Sequence, residues 1–184
     1  MKGGNALRII AGDYKGRVLC SPGDRRVRPT SDKVKEALFS ILGYEIIDAV
    51  CLDLFAGTGN LGLEALSRGA KKCYFADHSG ESIKIIKENI KMCRGEDYSV
   101  VIHGDYKKVL SNMREKIDII FLDPPYEKDM FEDIMAHIKE NDILSEEGLL
   151  VYEHGNDEAM PEEIYGYCKT KERRYGKVVL SFYM

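Results

Sequence analysis

The chain has 184 residues, of which 44% are hydrophobic and 32% charged, with a net charge of −4. That size and balance fit a globular domain with a sizeable core, and no run approaches the roughly 20 apolar residues needed to cross a bilayer. The amino-terminal "MKGGNALRII" lacks the apolar stretch and cleavage site of a signal peptide, so a cytoplasmic protein without membrane association is expected.

In chain order, the first segment is basic. Residues 1–36 carry nine basic side chains against four acidic ones, a local charge of +5 in a chain whose total is negative. An anionic polymer feels such local charge at contact, because salt confines the field to about 8 to 10 Å. "LRIIAG" and "KGRVLC" read as short strands. "RPTSDKVKEALFSIL" then opens a helix with Ser31 as its cap, Asp32 in the first turn and an apolar stripe of Val34, Ala37, Leu38, Ile41 and Leu42. The stripe needs a partner, so residues 1–43 are expected to form a small extension docked on a main domain of residues 44–184.

From residue 49 onward, strand and helix patterns alternate. Ala49 to Phe55, Lys72 to Asp77, Ser99 to Gly104, Ile117 to Asp123 and Gly148 to Glu153 read as strands. Helices are expected from Asn60 to Arg68, Ser79 to Arg94, Asp105 to Met113 and Phe131 to Asn141. The pattern is that of an α/β fold with a doubly wound, mostly parallel sheet. At the far end, Ile164 to Thr170 and Lys177 to Tyr183 flank "KERRYG" and predict an antiparallel hairpin turning on that basic segment. The five cysteines are odd in number and widely spaced, which suggests buried thiols, and the scattered histidines give no metal-binding pattern.

The chemistry gathers at strand ends. "DLFAGTGNLG" closes the first strand with Gly57, Gly59 and Gly62 in G-x-G-x-x-G spacing, and Asp77 stands 20 positions beyond Gly57 at the tip of the second strand. Both nicotinamide and S-adenosylmethionine folds use such a turn, with the acid on ribose hydroxyls. Asp53 discriminates between them, because a carboxylate at the entry to the turn repels a pyrophosphate and attracts an ammonium and a sulfonium. Asp105, at the tip of the third strand, suits either an adenine amino group or a helix cap. Asp123 ends the fourth strand and is followed by Pro124, Pro125 and Tyr126. The prolines lack an amide hydrogen and hold φ near −65°, which stiffens a rim of carbonyl acceptors beside an aromatic ring, or simply makes a rigid turn. Four acids at four successive strand tips border one crevice in an open parallel sheet.

Asp-Pro-Pro-Tyr together with "DLFAGTG" resembles the amino-methyltransferases. With "RIIAG", "KGR", "RPTSDKVKEALFSIL", "DLFAGTGNLGLEALSRGA" and the terminal "RRYGKVVLSFY", the chain from Arg8 to Tyr183 looks like the RsmD-type family, bacterial methyltransferases that modify the 2-amino group of a guanine in 16S ribosomal RNA. It departs at Asp77, where such sequences usually carry glutamate. The resemblance implies a Rossmann-like class I S-adenosylmethionine-dependent methyltransferase, acting as a monomer on 16S ribosomal RNA or the small-subunit particle. It implies a catalytic set of Asp123, Pro124, Pro125 and Tyr126, and cofactor contacts from Asp53, Phe55, Gly57, Gly59, Asp77, His78, Asp105, Tyr106 and Asp123. The candidate RNA contacts are Arg25, Arg26, Arg28, Lys33, Lys35, Arg173, Arg174 and Lys177. Adenine-directed DNA methyltransferases share the motif but usually add a target-recognition region. Glutamine methyltransferases favour Asn-Pro-Pro-Tyr, a nicotinamide dehydrogenase is disfavoured by Asp53, and a noncatalytic RNA-binding assembly factor is the reading from another class.

Overall fold

A computed structural model describes residues 7–22, 31–124 and 130–184. Helix α1 (Asp32–Leu42) begins where the Ser31 side chain accepts the Val34 amide. Strand β1 (Val50–Asp53) leads through the glycine turn into α2 (Asn60–Ser67). There follow β2 (Lys72–Asp77), α3 (Gly80–Cys93), β3 (Ser99–His103), α4 (Tyr106–Asn112), β4 (Ile117–Leu122) and α5 (Met130–Glu140). Strands β5 (Leu144–Gly155), β6 (Glu163–Ile164), β7 (Tyr167–Tyr175) and β8 (Val178–Tyr183) complete the described chain.

The sheet order is β3-β2-β1-β4-β5-β8-β7-β6. The pairs among β1 to β5 are parallel, whereas β8 enters antiparallel between β5 and β7. Both faces are covered, which is why the central strands read as nearly continuous apolar runs. One face gathers Leu38, Phe39, Leu63, Phe75, Ile86 and Phe121 under α1, α2 and α3. The other gathers Leu110, Ile120, Ile134, Met135 and Ile138 under α4 and α5.

The amino-terminal segment shares the first core, with Leu7, Ile9 and Leu19 buried in it. Its two expected strands reduce to a single antiparallel bridge between Arg8 and Val18. Much of its main chain is instead held by side chains of the domain, since the Ile10 and Ala11 amides donate to Glu64 and the Cys20 amide to Asn89. Three further differences have simple causes. Strand β5 starts at Leu144, before Gly148, and Leu144 pairs with Ile117 across a register shift in β4. The basic segment lies on strand β7 and the chain reverses after Tyr175, because Gly176, at φ 66°, takes the backbone conformation that the turn requires. Of the cysteines, Cys51, Cys73 and Cys93 are buried, but Cys20 is half-buried and Cys168 lies exposed on β7. No helix among the described residues is long and apolar enough to cross a membrane.

Candidate active site

The parallel register puts Asp53 of β1 opposite Phe75 of β2 and Phe121 of β4, so the turn after β1, the tip of β2 and Asp123 after β4 share one edge. Gly57 and Gly59 bend the turn at φ 54° and 77°. Gly62 serves packing, since a Cβ there would meet the Phe75 ring at 2.3 Å; α2 can lie this close to β2 only with hydrogen at that position.

Asp53 is buried, and its Oδ2 accepts the Gly62 amide at 3.0 Å. Burial pushes its carboxyl up to about 7, with Asp123 and Asp77 adding to the rise while the Gly62 bond opposes it. Asp123 is raised to about 6 by the protein packed around it; its side chain is exposed, so water in the cleft moderates the rise. Asp77 Oδ2 accepts the Gly57 amide at 2.8 Å and Oδ1 the Ser79 amide at 2.8 Å. Asp53, Asp77 and Asp123 therefore form one electrostatic group. Asp53 and Asp123, held at raised pKa, favour a cationic ligand, which would relieve the repulsion in the group.

The other candidates occupy the flanks. Asp105 is the cap of α4, its Oδ1 accepting the Lys107 amide at 2.9 Å. The Tyr106 ring stands 5.9 Å from that of Phe55, and its hydroxyl donates to Asp133 at 2.6 Å. His78 is exposed beside Asp77, and its carbonyl lies 3.0 Å from Nε2 of His103. Pro124 is buried. Pro125, Tyr126, Arg25, Arg26 and Arg28 lie outside the described residues.

Of the candidate RNA contacts, Lys33 is exposed on α1. Arg173 and Arg174 are exposed on β7, their guanidinium groups donating to the carbonyls of Glu172 and Asn156, and Lys177 is exposed in the following turn. Lys35 is a correction: it is fully buried, and its Nζ lies 3.2 Å from Glu64. It falls on the same face of α1 as Val34, Leu38 and Phe39, so it points inward and cannot meet RNA. Sequence reasoning also passed over Glu64 and Asn60, both buried on α2; a lone acid inside "LGLEAL" was the available signal. A pocket of about 530 Å³ between β3 and α4, floored by Tyr74, Ile102 and Met113, contains none of the clustered acids.

The fold and the acid-tipped glycine turn define a class I methyltransferase. The chain matches the family described as conserved hypothetical protein 95 over residues 7–184. It belongs to that family, the RsmD-type methyltransferases. It is 32% identical to ribosomal RNA small subunit methyltransferase D of Escherichia coli strain K12, over 98% of this chain and 91% of the relative. The protein of the same name from Haemophilus influenzae is 36% identical, over 96% and 93%. The solved structure of yhhF from Escherichia coli superposes with a TM-score of 0.87 at 30% identity, covering 97% of each chain.

Proposed function

We propose that this protein methylates the exocyclic 2-amino group of a guanine in 16S ribosomal RNA, with S-adenosylmethionine as donor. One observation carries the reading: Asp77 binds the Gly57 amide of the glycine turn, and Asp53, buried at the entry to that turn, is held at raised pKa by burial with Asp123 and Asp77 adding to the rise, a setting that favours positive charge. The names of the relatives supply the substrate class. The residues fit the donor, because the turn leaves open space at Gly57, where a Cβ would meet nothing closer than the Phe55 carbonyl at 3.9 Å.

When bound, S-adenosylmethionine supplies a methyl group activated by a sulfonium. Asp53 attracts the positive donor, and Asp77 holds the Gly57 bend while its remaining lone pairs accept ribose hydroxyls. A guanine amino nitrogen is a poor nucleophile because its lone pair is delocalised into the ring. Asp123 and the Pro124 carbonyl accept the two amino hydrogens, which favours a pyramidal nitrogen with its lone pair directed away from both acceptors. Asp123, raised toward neutrality, also accepts the proton that the methylated nitrogen sheds. The exposed cations of β7, the turn after it and α1 give phosphate contacts.

Isothermal titration with S-adenosylmethionine and mass spectrometry of small-subunit RNA from cells with and without the protein test the reading. Binding of the donor and loss of one N2-methylguanine in its absence are expected. An unaltered RNA modification profile would overturn it.

A further inference from the structure

Asn60 opens α2 directly after the glycine turn and is 6% exposed. Its Oδ1 accepts from Lys35 Nζ at 2.6 Å. An ammonium only donates, so this contact fixes the amide with its oxygen toward Lys35 and its nitrogen turned away. Lys35 has no freedom to release it, because its Nζ also donates to the Arg8 carbonyl at 2.6 Å and lies 3.2 Å from Glu64 Oε2, which commits all three of its hydrogens. The Asn60 Nδ2 is left without a hydrogen-bond partner, one of two such buried side-chain atoms among the described residues. A buried donor in this state is costly unless something arrives to accept from it.

Its location says what that is. Lys35 belongs to α1, which packs over β4 through Phe39 and Phe121, their rings 5.8 Å apart. Asp77 binds the glycine turn from β2, the strand on the other side of β1. The turn therefore has a carboxylate on its β2 flank, suited to hydroxyl groups, and an orphaned amide donor on its α1 flank, suited to an anion. The amino end of α2 adds the positive end of its dipole there. Resting on the function proposed above, we propose that Asn60 Nδ2 binds the carboxylate of the amino-acid end of S-adenosylmethionine, and that Lys35 is the positioning residue that aims it.

The test compares S-adenosylmethionine with its decarboxylated analogue by isothermal titration. Asn60→Asp keeps the oxygen that Lys35 needs and replaces only the donor; Asn60→Ala removes both. Each is expected to weaken S-adenosylmethionine binding by about 10- to 100-fold, as for a hydrogen bond to a charged group, and to leave the decarboxylated analogue within about threefold, as expected of a ligand lacking the accepting group. Lys35→Met should reduce the same preference without abolishing it. Equal losses for both ligands would make Asn60 a structural residue, and unchanged affinities would remove it from the site; either overturns the assignment. A wild-type protein that binds neither ligand would instead defeat the proposed function, and this inference with it.

Discussion

The carboxylate of Asp77 reaches back to accept the Gly57 amide at 2.8 Å while its second oxygen accepts the Ser79 amide at 2.8 Å, so one side chain joins the glycine turn to the cap of α3. Asp77→Ala leaves both amides without this acceptor. A stability loss of about 1 to 3 kcal/mol is expected for an unsatisfied buried group. Denaturant titration reads that loss, and donor affinity should fall at least about tenfold once the bend relaxes and one hydrogen bond to the donor is lost.

Asp53 carries a pH dependence whose sign is fixed. Its carboxyl sits near 7 when folded against 3.8 ordinarily, so the folded state binds more protons between those values. Its contribution to stability is fully present below the lower value and is lost as pH rises through the upper one. The ligand-free protein should therefore lose more stability between pH 5 and pH 8 than Asp53→Asn, which retains an acceptor for the Gly62 amide. Thermal melts at the two pH values decide this, and a wild-type and variant difference that does not change with pH would contradict it. The same substitution should weaken S-adenosylmethionine binding.

Asp123 directly follows β4 and is itself exposed at the carboxyl edge of the sheet. Asp123→Ala is expected to keep donor affinity within a few-fold and to lower methyl transfer by about 10²- to 10³-fold, the usual cost of removing one aligned polar group from a reacting centre. Full turnover in that variant would exclude the catalytic assignment.

Lys35 and Glu64 form an ion pair with both side chains fully buried. Burial lowers the Lys35 pKa and Glu64 partly restores it. Removing either partner strands the other charge, so Lys35→Met should cost about 3 to 5 kcal/mol. Glu64→Gln should cost as much or more, because the Ile10 and Ala11 amides and Arg68 also rely on that carboxylate. The double substitution should recover part of the loss, which urea unfolding of the three variants measures.

Lys33, Arg173, Arg174 and Lys177 are the exposed cations of the candidate RNA-contact set among the described residues. Replacing all four by glutamine should reduce the slope of log affinity against log salt by about 0.7 to 0.9 per lost phosphate contact. Donor binding should be untouched, and an unchanged slope would show that RNA docks elsewhere.

The doubly wound pattern, the glycine turn and the acids at strand tips were legible in the chain, because each is a local rule. Apolar runs of strand length between amphipathic helices allow little but a covered parallel sheet, and a tight turn with glycines at fixed spacing declares itself by composition. Asp105 kept two readings in sequence, and its hydrogen bond to the Lys107 amide shows the cap. Phe39 was missing from the expected stripe of α1, yet it is buried against Phe121 and Arg68, contacts that depend on where β4 and α2 end up.

Charge was where local rules failed. The sequence by itself determined that residues 1–36 are basic and that acids end four strands, because those facts are compositional. Only the tertiary structure decided that Lys35 turns inward to Glu64 while Lys33, two residues earlier, stays in water, and that Asp53 is buried within electrostatic reach of two other carboxylates rather than solvated. The energy of a charge is set by the dielectric around it and by the partners within a few ångströms, and both come from chain segments far apart in sequence.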